Sequence, residues 1–266
     1  MSRTTQPIGI FDSGIGGLTV AHAIVKHLPQ ENIVYFGDTV NLPYGDKSAS
    51  AIQQYAVKIT DFLLQQPCKL ILIACHSASA AAFPHILQKV DGRVPVMDVI
   101  DPVIQLLKAR YALKRIGLIG TRQTVHSLVY HQKIEALNLD IALAAHATYL
   151  LAPAIEEFGN HEMIDHLLKI YLSHPTLQNI DALILACTHY PIIKDKILQY
   201  YDNRIDLIDS AAIVAEAVKR RLLADGLLSQ AAGGRKQFYV SDYTDTFARH
   251  AKLFFGDEIV LTRKTL

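Results

Sequence analysis

The chain has 266 residues, half of them hydrophobic, which is enough for one large domain or two of ordinary size. Lys and Arg total 26 against 25 Asp and Glu, a net charge of +1, and no long block of one sign occurs. This balance argues against a nucleic-acid surface or a polybasic membrane anchor, because both need clustered charge. No apolar run approaches the length of a membrane span.

The three cysteines, Cys68, Cys75 and Cys187, show neither C-x-x-C spacing nor a metal-ligand pattern, so the sequence predicts no metal site. An odd and sparse cysteine count is typical of a reducing compartment. The polar residues 1–6 are followed by no apolar signal segment. We therefore expect a cytoplasmic protein.

The first predicted elements are a strand at 7–11, a glycine-rich turn at 12–17 and a helix at 18–28. The turn lacks the G-x-G-x-x-G spacing of a dinucleotide site and the Gly-Lys-Ser/Thr of a P-loop. A tight turn explains its glycines. It does not explain why Asp12 and Ser13 stand at the exit of the strand.

A second predicted strand at 32–36 enters a loop at 37–45 that contains Pro43, Tyr44 and Gly45. Loops at the carboxyl end of a parallel sheet often carry binding groups. For Tyr44 taken alone, a packed ring is the simpler interpretation. The remaining predicted elements are helices at 48–65, 77–89 (interrupted by Pro84), 124–137, 162–173, 210–224 and 247–255, a crossover at 94–102, and strands at 115–119, 141–145, 205–208, 236–240 and 258–262.

Two apolar runs end in the dipeptide Ala-Cys, at Cys75 and at Cys187, and helix-forming segments follow both. We therefore predict each thiol in a strand-to-helix turn, where free helix N–H groups favour the thiolate. The segment 8–13 (IGIFDS) also resembles 116–121 (IGLIGT), and the separation of these two segments is close to that of the two cysteines. Alternating strands and helices indicate parallel sheets. The predicted fold is α/β with two pseudo-symmetric halves, each offering one cysteine to a cleft.

Several chemistries compete for these thiols. Free cysteine is often a small buried hydrophobe, and we assign that role to Cys68. A lone nucleophile could use His189 as its base, but Cys75 would then have no role. A redox pair needs the two sulfurs at disulfide distance, which a sequence does not reveal. Proton transfer on two faces of one carbon needs an acid opposite a base, and two cysteines suit this.

The segments 9–20, 43–45, 74–75 and 186–191 together resemble the cofactor-independent glutamate racemases of the aspartate/glutamate racemase superfamily. The resemblance runs from about residue 8 to 210. It implies two flavodoxin-like domains, 1–98 plus 209–266 and 99–208, with the active site in the cleft between them. It also implies interconversion of L- and D-glutamate without a cofactor, supplying D-glutamate for peptidoglycan synthesis and cell shape.

The resemblance implies a role for each matching residue. Cys187 would act on the L-enantiomer with help from His189, and Cys75 on the D-enantiomer with help from Asp12. Glu156 matches the acid near that histidine. The positions implied to bind substrate are Asp12, Ser13, Pro43, Tyr44, Gly45, His76, Ser77, Thr121, Thr188 and His189.

His76 departs from the family, which usually has asparagine at this position, whereas Ser77 keeps the family's hydroxyl. If His76 contacts the substrate, its protonation should alter binding near its reference pKa of about 6.5. A charged His76 could also stabilise a Cys75 thiolate. The alternative is that the ring turns away and packs.

This departure leaves aspartate open as a substrate. A two-lobed amino-acid-binding protein without catalysis is the alternative from another class. The oligomeric state is also left open, with a homodimer as one alternative.

Overall fold

Two parallel β-sheets organise the computed structural model, which describes residues 2–156, 161–256 and 259–266. The strands are β1 (Ile8–Asp12), β2 (Ile33–Gly37), β3 (Leu70–Ile73), β4 (Val96–Asp98), β5 (Arg115–Gly120), β6 (Ala142–Ala147), β7 (Ala182–Ala186), β8 (Asp206–Asp209), β9 (Lys236–Val240) and β10 (Leu261–Arg263). The helices are α1 (Leu18–His27), α2 (Ala49–Gln65), α3 (His76–Val90), α4 (Asp101–Arg110), α5 (Arg122–His126), α6 (Val129–Glu135), α7 (Leu151–Glu156), α8 (His161–Leu172), α9 (Lys194–Tyr200), α10 (Ser210–Ala224) and α11 (Asp245–Phe255).

The first sheet has the order β10-β9-β2-β1-β3-β4 and the second has the order β6-β5-β7-β8. Strands β1, β2, β3 and β7 are buried along their whole length. Continuous apolar runs of this kind are typical of parallel strands covered by helices on both faces. The predicted α/β fold with two parallel sheets is confirmed.

The C-terminal tail, residues 236–266, extends the first sheet. Strand β9 pairs with β2 in parallel register, and β10 pairs with β9. Helix α10 packs against α1 and α4 and also contacts β7 of the second sheet. The domain boundaries after residues 98 and 208 stay a prediction.

Helix α3 is continuous, so the predicted interruption at Pro84 is wrong. Proline removes one backbone N–H from a helix. The buried face of α3, which packs against α2, outweighs this loss. Tertiary packing therefore overrides the local signal of Pro84.

Other differences concern where elements begin and where they are divided. The predicted crossover at 94–102 contains strand β4 at a sheet edge. The single helix predicted at 124–137 is divided into α5 and α6 by Leu128, which has a φ of 57°. The last strand begins at Leu261, and Glu258, its predicted start, lies outside the described residues.

None of the described helices combines the length and apolar character that crossing a bilayer requires.

Candidate active site

A cavity of about 200 Å³ lies where strands of both sheets end. Its walls come from the segments that follow β1, β2 and β3 in one sheet and β5 and β7 in the other, together with α7. The carboxyl ends of parallel strands are the usual ligand sites of open α/β sheets. The lining residues are Ser13, Gly14, Leu42, Pro43, Tyr44, Gly45, Cys75, His76, Ser77, Thr121, Ala152, Pro153, Glu156, Ala186, Cys187, Thr188 and His189.

The cavity brings together every residue predicted for the site except Asp12, which lies behind the wall. Asp12 is wholly buried, and its Oδ2 accepts hydrogen bonds from the N–H groups of Gly14 and Gly17 at 3.1 and 2.9 Å. A Cβ atom on Gly17 would approach Asp12 Cγ to 2.8 Å. The glycine-rich turn therefore wraps around a carboxylate that belongs to the protein.

Burial raises the pKa of the Asp12 carboxyl, although the Gly17 N–H and the charge of His189 act in the opposite direction. Its Oδ1 is buried and has no hydrogen-bond partner among the described residues. Asp12 can therefore take up a proton at this oxygen without first breaking a hydrogen bond.

Cys75 caps the first turn of α3. Its Sγ accepts a hydrogen bond from the Ala78 N–H at 3.4 Å and lies 3.6 Å from Ser13 Oγ. Burial and the charge of Asp12 raise the pKa of the Cys75 thiol to about 12, against the smaller opposite effects of Ala78 and Ser13. The expectation that the helix N-terminus would favour a thiolate here is wrong, because burial outweighs the helix N–H group. Cys75 is therefore a protonated thiol at neutral pH.

Cys187 has a different environment. Its Sγ lies 3.5 Å from His189 Nδ1, and His189 Nε2 lies 2.6 Å from Glu156 Oε1. Burial by itself would lower the pKa of His189, but hydrogen bonds and the charges of Cys187 and Glu156 raise that pKa well above its ordinary value. Burial likewise would raise the pKa of Glu156, yet the hydrogen bond to His189 leaves it lowered. The pair is therefore an imidazolium beside a carboxylate, and the imidazolium can donate to the Cys187 sulfur.

His76 is 2% exposed and lines the cavity, and neither of its ring nitrogens has a hydrogen-bond partner among the described residues. Burial lowers the pKa of the His76 ring to about 3. This lowered pKa opposes a titration near 6.5 and the use of a charged His76 to stabilise a Cys75 thiolate. The ring is neutral and keeps one donor and one acceptor unused at the cavity wall.

Hydroxyl groups join the two halves of the cavity. Ser77 Oγ lies 2.8 Å from Thr121 Oγ1, which lies 3.0 Å from Thr124 Oγ1. Gly45 packs against the same threonine, and a Cβ atom at position 45 would come within 2.8 Å of Thr121 Cβ. Elsewhere the carbonyl of Thr188 accepts a hydrogen bond from the Thr19 hydroxyl at 3.0 Å.

Two residues near the site were missed by the sequence reasoning. Asp38 accepts a hydrogen bond from the Tyr44 hydroxyl at 2.6 Å, and Phe254 of the tail contacts the His189 ring edge-on, with centroids 5.0 Å apart. Asp38 follows a buried strand as Asp12 does, and that signal could have found it. Nothing in the local pattern of α11 marks Phe254. Among the residues that the structure describes, no group of three or more His, Cys, Asp or Glu side chains could hold a metal ion.

Comparison with known proteins agrees with the fold. The family model of Asp/Glu/hydantoin racemases matches residues 13–218. The glutamate racemase of Neisseria meningitidis is 40% identical over 253 residues, covering 94% of this chain and 93% of the relative. That of Geobacter metallireducens is 37% identical over 256 residues, covering 96% and 94%.

Solved structures extend the comparison. The crystal structure of glutamate racemase from Francisella tularensis in complex with D-glutamate superposes with a TM-score of 0.91 at 35% identity, covering 99% of this chain and 98% of the other. The enzyme from Thermus thermophilus superposes with a TM-score of 0.87 at 37% identity, covering 99% and 98%. The fold and the matches define this chain as an isomerase. It belongs to the Asp/Glu/hydantoin racemase family, and the resemblance found in the sequence is confirmed.

Proposed function

We propose that the chain is a glutamate racemase that interconverts L- and D-glutamate by a two-base mechanism, with Cys75 and Cys187 as the bases. The observation that carries the proposal is that two buried thiols, one after a strand of each sheet, line one cavity. Glutamate as the substrate is supported by relatives named glutamate racemase, two of which are 40% and 37% identical over nearly the whole chain.

In the L-to-D direction, the Cys187 thiolate removes the Cα proton, forming an S–H bond as the C–H bond breaks. The Cys75 thiol delivers its own proton to the opposite face of the carbon. The raised pKa of Cys75 suits this step, because the group must arrive protonated. His189 and Glu156 support the Cys187 side through the hydrogen-bonded chain described above.

The D-to-L direction needs a thiolate at Cys75. Protonation of Asp12 would remove the negative charge that opposes this thiolate, and the raised pKa of Asp12 favours such protonation. We therefore assign Asp12 to the Cys75 half-reaction. The different surroundings of the two thiols are consistent with a different helper for each direction.

Removing a proton next to a carboxylate builds negative charge on that carboxylate, which needs oriented donors. The hydroxyls of Ser13, Ser77, Thr121 and Thr188 line the cavity and can supply them. The N-terminus of α3 faces the same wall through Cys75, His76 and Ser77. The chain's own groups therefore supply the chemistry without an electron-sink cofactor.

Aspartate is the competing substrate. The aspartate racemase of Picrophilus torridus superposes with a TM-score of 0.59 at 16% identity, a similarity that extends to the fold alone. A binding protein without catalysis has no need for two thiols in its cleft. We further infer that D-glutamate from this enzyme enters peptidoglycan synthesis in the cytoplasm. We also propose that the chain forms two domains, 1–98 plus 209–266 and 99–208, and that it assembles as a homodimer.

The test is to follow the circular dichroism of L-glutamate, and separately of L-aspartate, with purified protein and no added cofactor. We expect loss of optical activity with glutamate and, in deuterated water, deuterium at Cα of the product. Faster racemisation of aspartate than of glutamate would identify aspartate as the preferred substrate. If neither amino acid acquires deuterium at Cα, the proposal that the protein is a racemase fails.

A further inference from the structure

Asp38, directly after β2, is a buried carboxylate held by side-chain donors, and it is 4% exposed. Its Oδ2 accepts from the Tyr44 hydroxyl at 2.6 Å, and its Oδ1 accepts from the Ser241 hydroxyl at 3.0 Å. The Asn41 amide donates to both oxygens at 3.0 Å. Hydrogen bonds to an ionised carboxylate are roughly twice as strong as those between neutral groups. These hydrogen bonds hold the three donor side chains together around Asp38.

These donors come from two separate parts of the chain. Asn41 and Tyr44 belong to the segment 41–45, in which Leu42, Pro43, Tyr44 and Gly45 all line the cavity. Ser241 follows β9 in the C-terminal tail. None of the described residues beyond β9 lines the cavity, so Ser241 acts at a distance from any bound substrate.

Further hydrogen bonds connect the same two segments. The Val40 N–H donates to Ser241 Oγ at 2.9 Å. The Thr39 hydroxyl donates to the Asp242 carbonyl at 2.6 Å, and the Asp242 N–H donates back to Thr39 Oγ1 at 2.8 Å. Residues 38–40, at the base of the cavity wall, are thus bound to Ser241 and Asp242 of the tail.

The hydrogen bond to Asp38 also restricts what Tyr44 can do. A tyrosine hydroxyl has one proton, and that of Tyr44 is donated to Asp38. Toward any other group the Tyr44 oxygen can only accept. A substrate ammonium group suits such an oxygen, whereas a substrate carboxylate does not.

We propose that Asp38 and Ser241 are positioning residues that hold the segment 41–45 as a wall of the cavity. The tail beyond β9 thereby controls substrate binding without contacting the substrate. This inference rests on the proposed glutamate racemase activity. The wall serves both enantiomers, so its loss should affect both directions of the reaction equally.

The test compares Ser241→Ala with Ser229→Ala in the full chain. Ser229 is a second buried serine of the C-terminal region, and its hydroxyl accepts from the Ala231 N–H at 3.2 Å within its own loop. For Ser241→Ala we expect KM to rise about fivefold for both D- and L-glutamate, with kcat within about twofold of wild type. Ser229→Ala should leave both constants unchanged. An unchanged KM in Ser241→Ala, or an equal rise in Ser229→Ala, would overturn the proposal.

A second measurement does not depend on activity. Hydrogen exchange followed by mass spectrometry should show faster exchange of the amides at 41–45 in Ser241→Ala but not in Ser229→Ala. Equal exchange in the two variants would contradict the positioning role. If the wild-type protein does not racemise glutamate, the proposed function fails, while this exchange measurement still tests the wall.

The pair Asp38→Asn and Tyr44→Phe tests whether Asp38 acts through Tyr44. If it does, the double variant should raise KM by less than the product of the two single effects. A full product of the two effects would show that Asp38 acts independently of Tyr44 and would overturn this part of the inference. Urea unfolding of each variant shows whether it is as stable as the wild type. A change in KM in a stable variant is then not caused by unfolding.

Discussion

His189 Nε2 lies 2.6 Å from Glu156 Oε1, which joins an imidazolium from the segment after β7 to a carboxylate of α7. The pKa of His189 is raised and that of Glu156 is lowered by this contact, against the opposite effects of burial. Each ion therefore stabilises the other, and the stabilisation depends on pH in a direction that can be calculated.

We expect Glu156→Gln to destabilise the protein most between the ordinary pKa values of the two groups, 4.5 and 6.5. A lowered carboxyl pKa adds stability above 4.5 that is lost as the pH falls through the lowered value. A raised histidine pKa adds stability below 6.5 that is lost as the pH rises through the raised value. Urea unfolding of wild type and variant across pH gives the difference. A difference that does not vary with pH would contradict the ion pair.

The paired thiols predict that either Cys75→Ser or Cys187→Ser abolishes racemisation. A serine hydroxyl has a much higher pKa than a thiol, so the remaining cysteine has no partner on the opposite face. The measurement is circular dichroism starting from each enantiomer. Cys68→Ser is the control, since Cys68 is buried next to Gly9 and does not line the cavity. Substantial racemisation by either active-site variant would contradict the two-base mechanism.

Asp12→Asn and His189→Asn should affect opposite directions. Asp12 lies on the Cys75 side, so its replacement should reduce D-to-L exchange most, whereas His189→Asn should reduce L-to-D exchange most. Deuterium uptake from each enantiomer, measured in single turnovers, separates the two half-reactions. The overall equilibrium constant must remain one, because the products are mirror images. Equal losses in both directions from both variants would reduce the two residues to structural supports.

His76→Asn tests the neutral ring at the cavity wall. Because burial lowers the His76 pKa to about 3, the wild-type KM should show no dependence on this ring between pH 5 and 8. Asparagine offers two donors where neutral histidine offers one, so KM for glutamate should change several-fold while keeping the same pH profile. A KM–pH inflection near 6.5 that disappears in the variant would show that His76 titrates.

Away from the site, Lys69 and Glu31 form an ion pair at 2.5 Å in which both side chains are wholly buried. Lys69→Met should cost about 3–5 kcal/mol, because it leaves a buried carboxylate unpaired. The matched control is Lys89→Met, because Lys89 and its partner Asp61 are both half-buried, and the loss of this pair should cost about 0–1 kcal/mol. Urea unfolding measures both. Similar losses in the two variants would contradict the role of burial.

Local pattern was enough to predict much of this protein. Apolar runs that end in Ala-Cys place Cys75 and Cys187 at strand exits, because a strand buried on both faces needs continuous apolar residues and a turn signal at its end. The same reasoning located Asp12 and the loop at 43–45. The roles of these residues came from the resemblance of several motifs in order, and the fold that this resemblance implied is confirmed.

Only the tertiary structure determined the ionisation of the site and its supports. A pKa depends on burial and on neighbouring charges, so His76 is neutral and Cys75 protonated for reasons that no local motif contains. The hydrogen bond between Asp38 and Ser241 joins residues 203 positions apart. The contact of Phe254 with His189 likewise depends on how the tail returns to the first sheet. Sequence periodicity records which face of an element is buried, whereas long-range packing decides what that face meets.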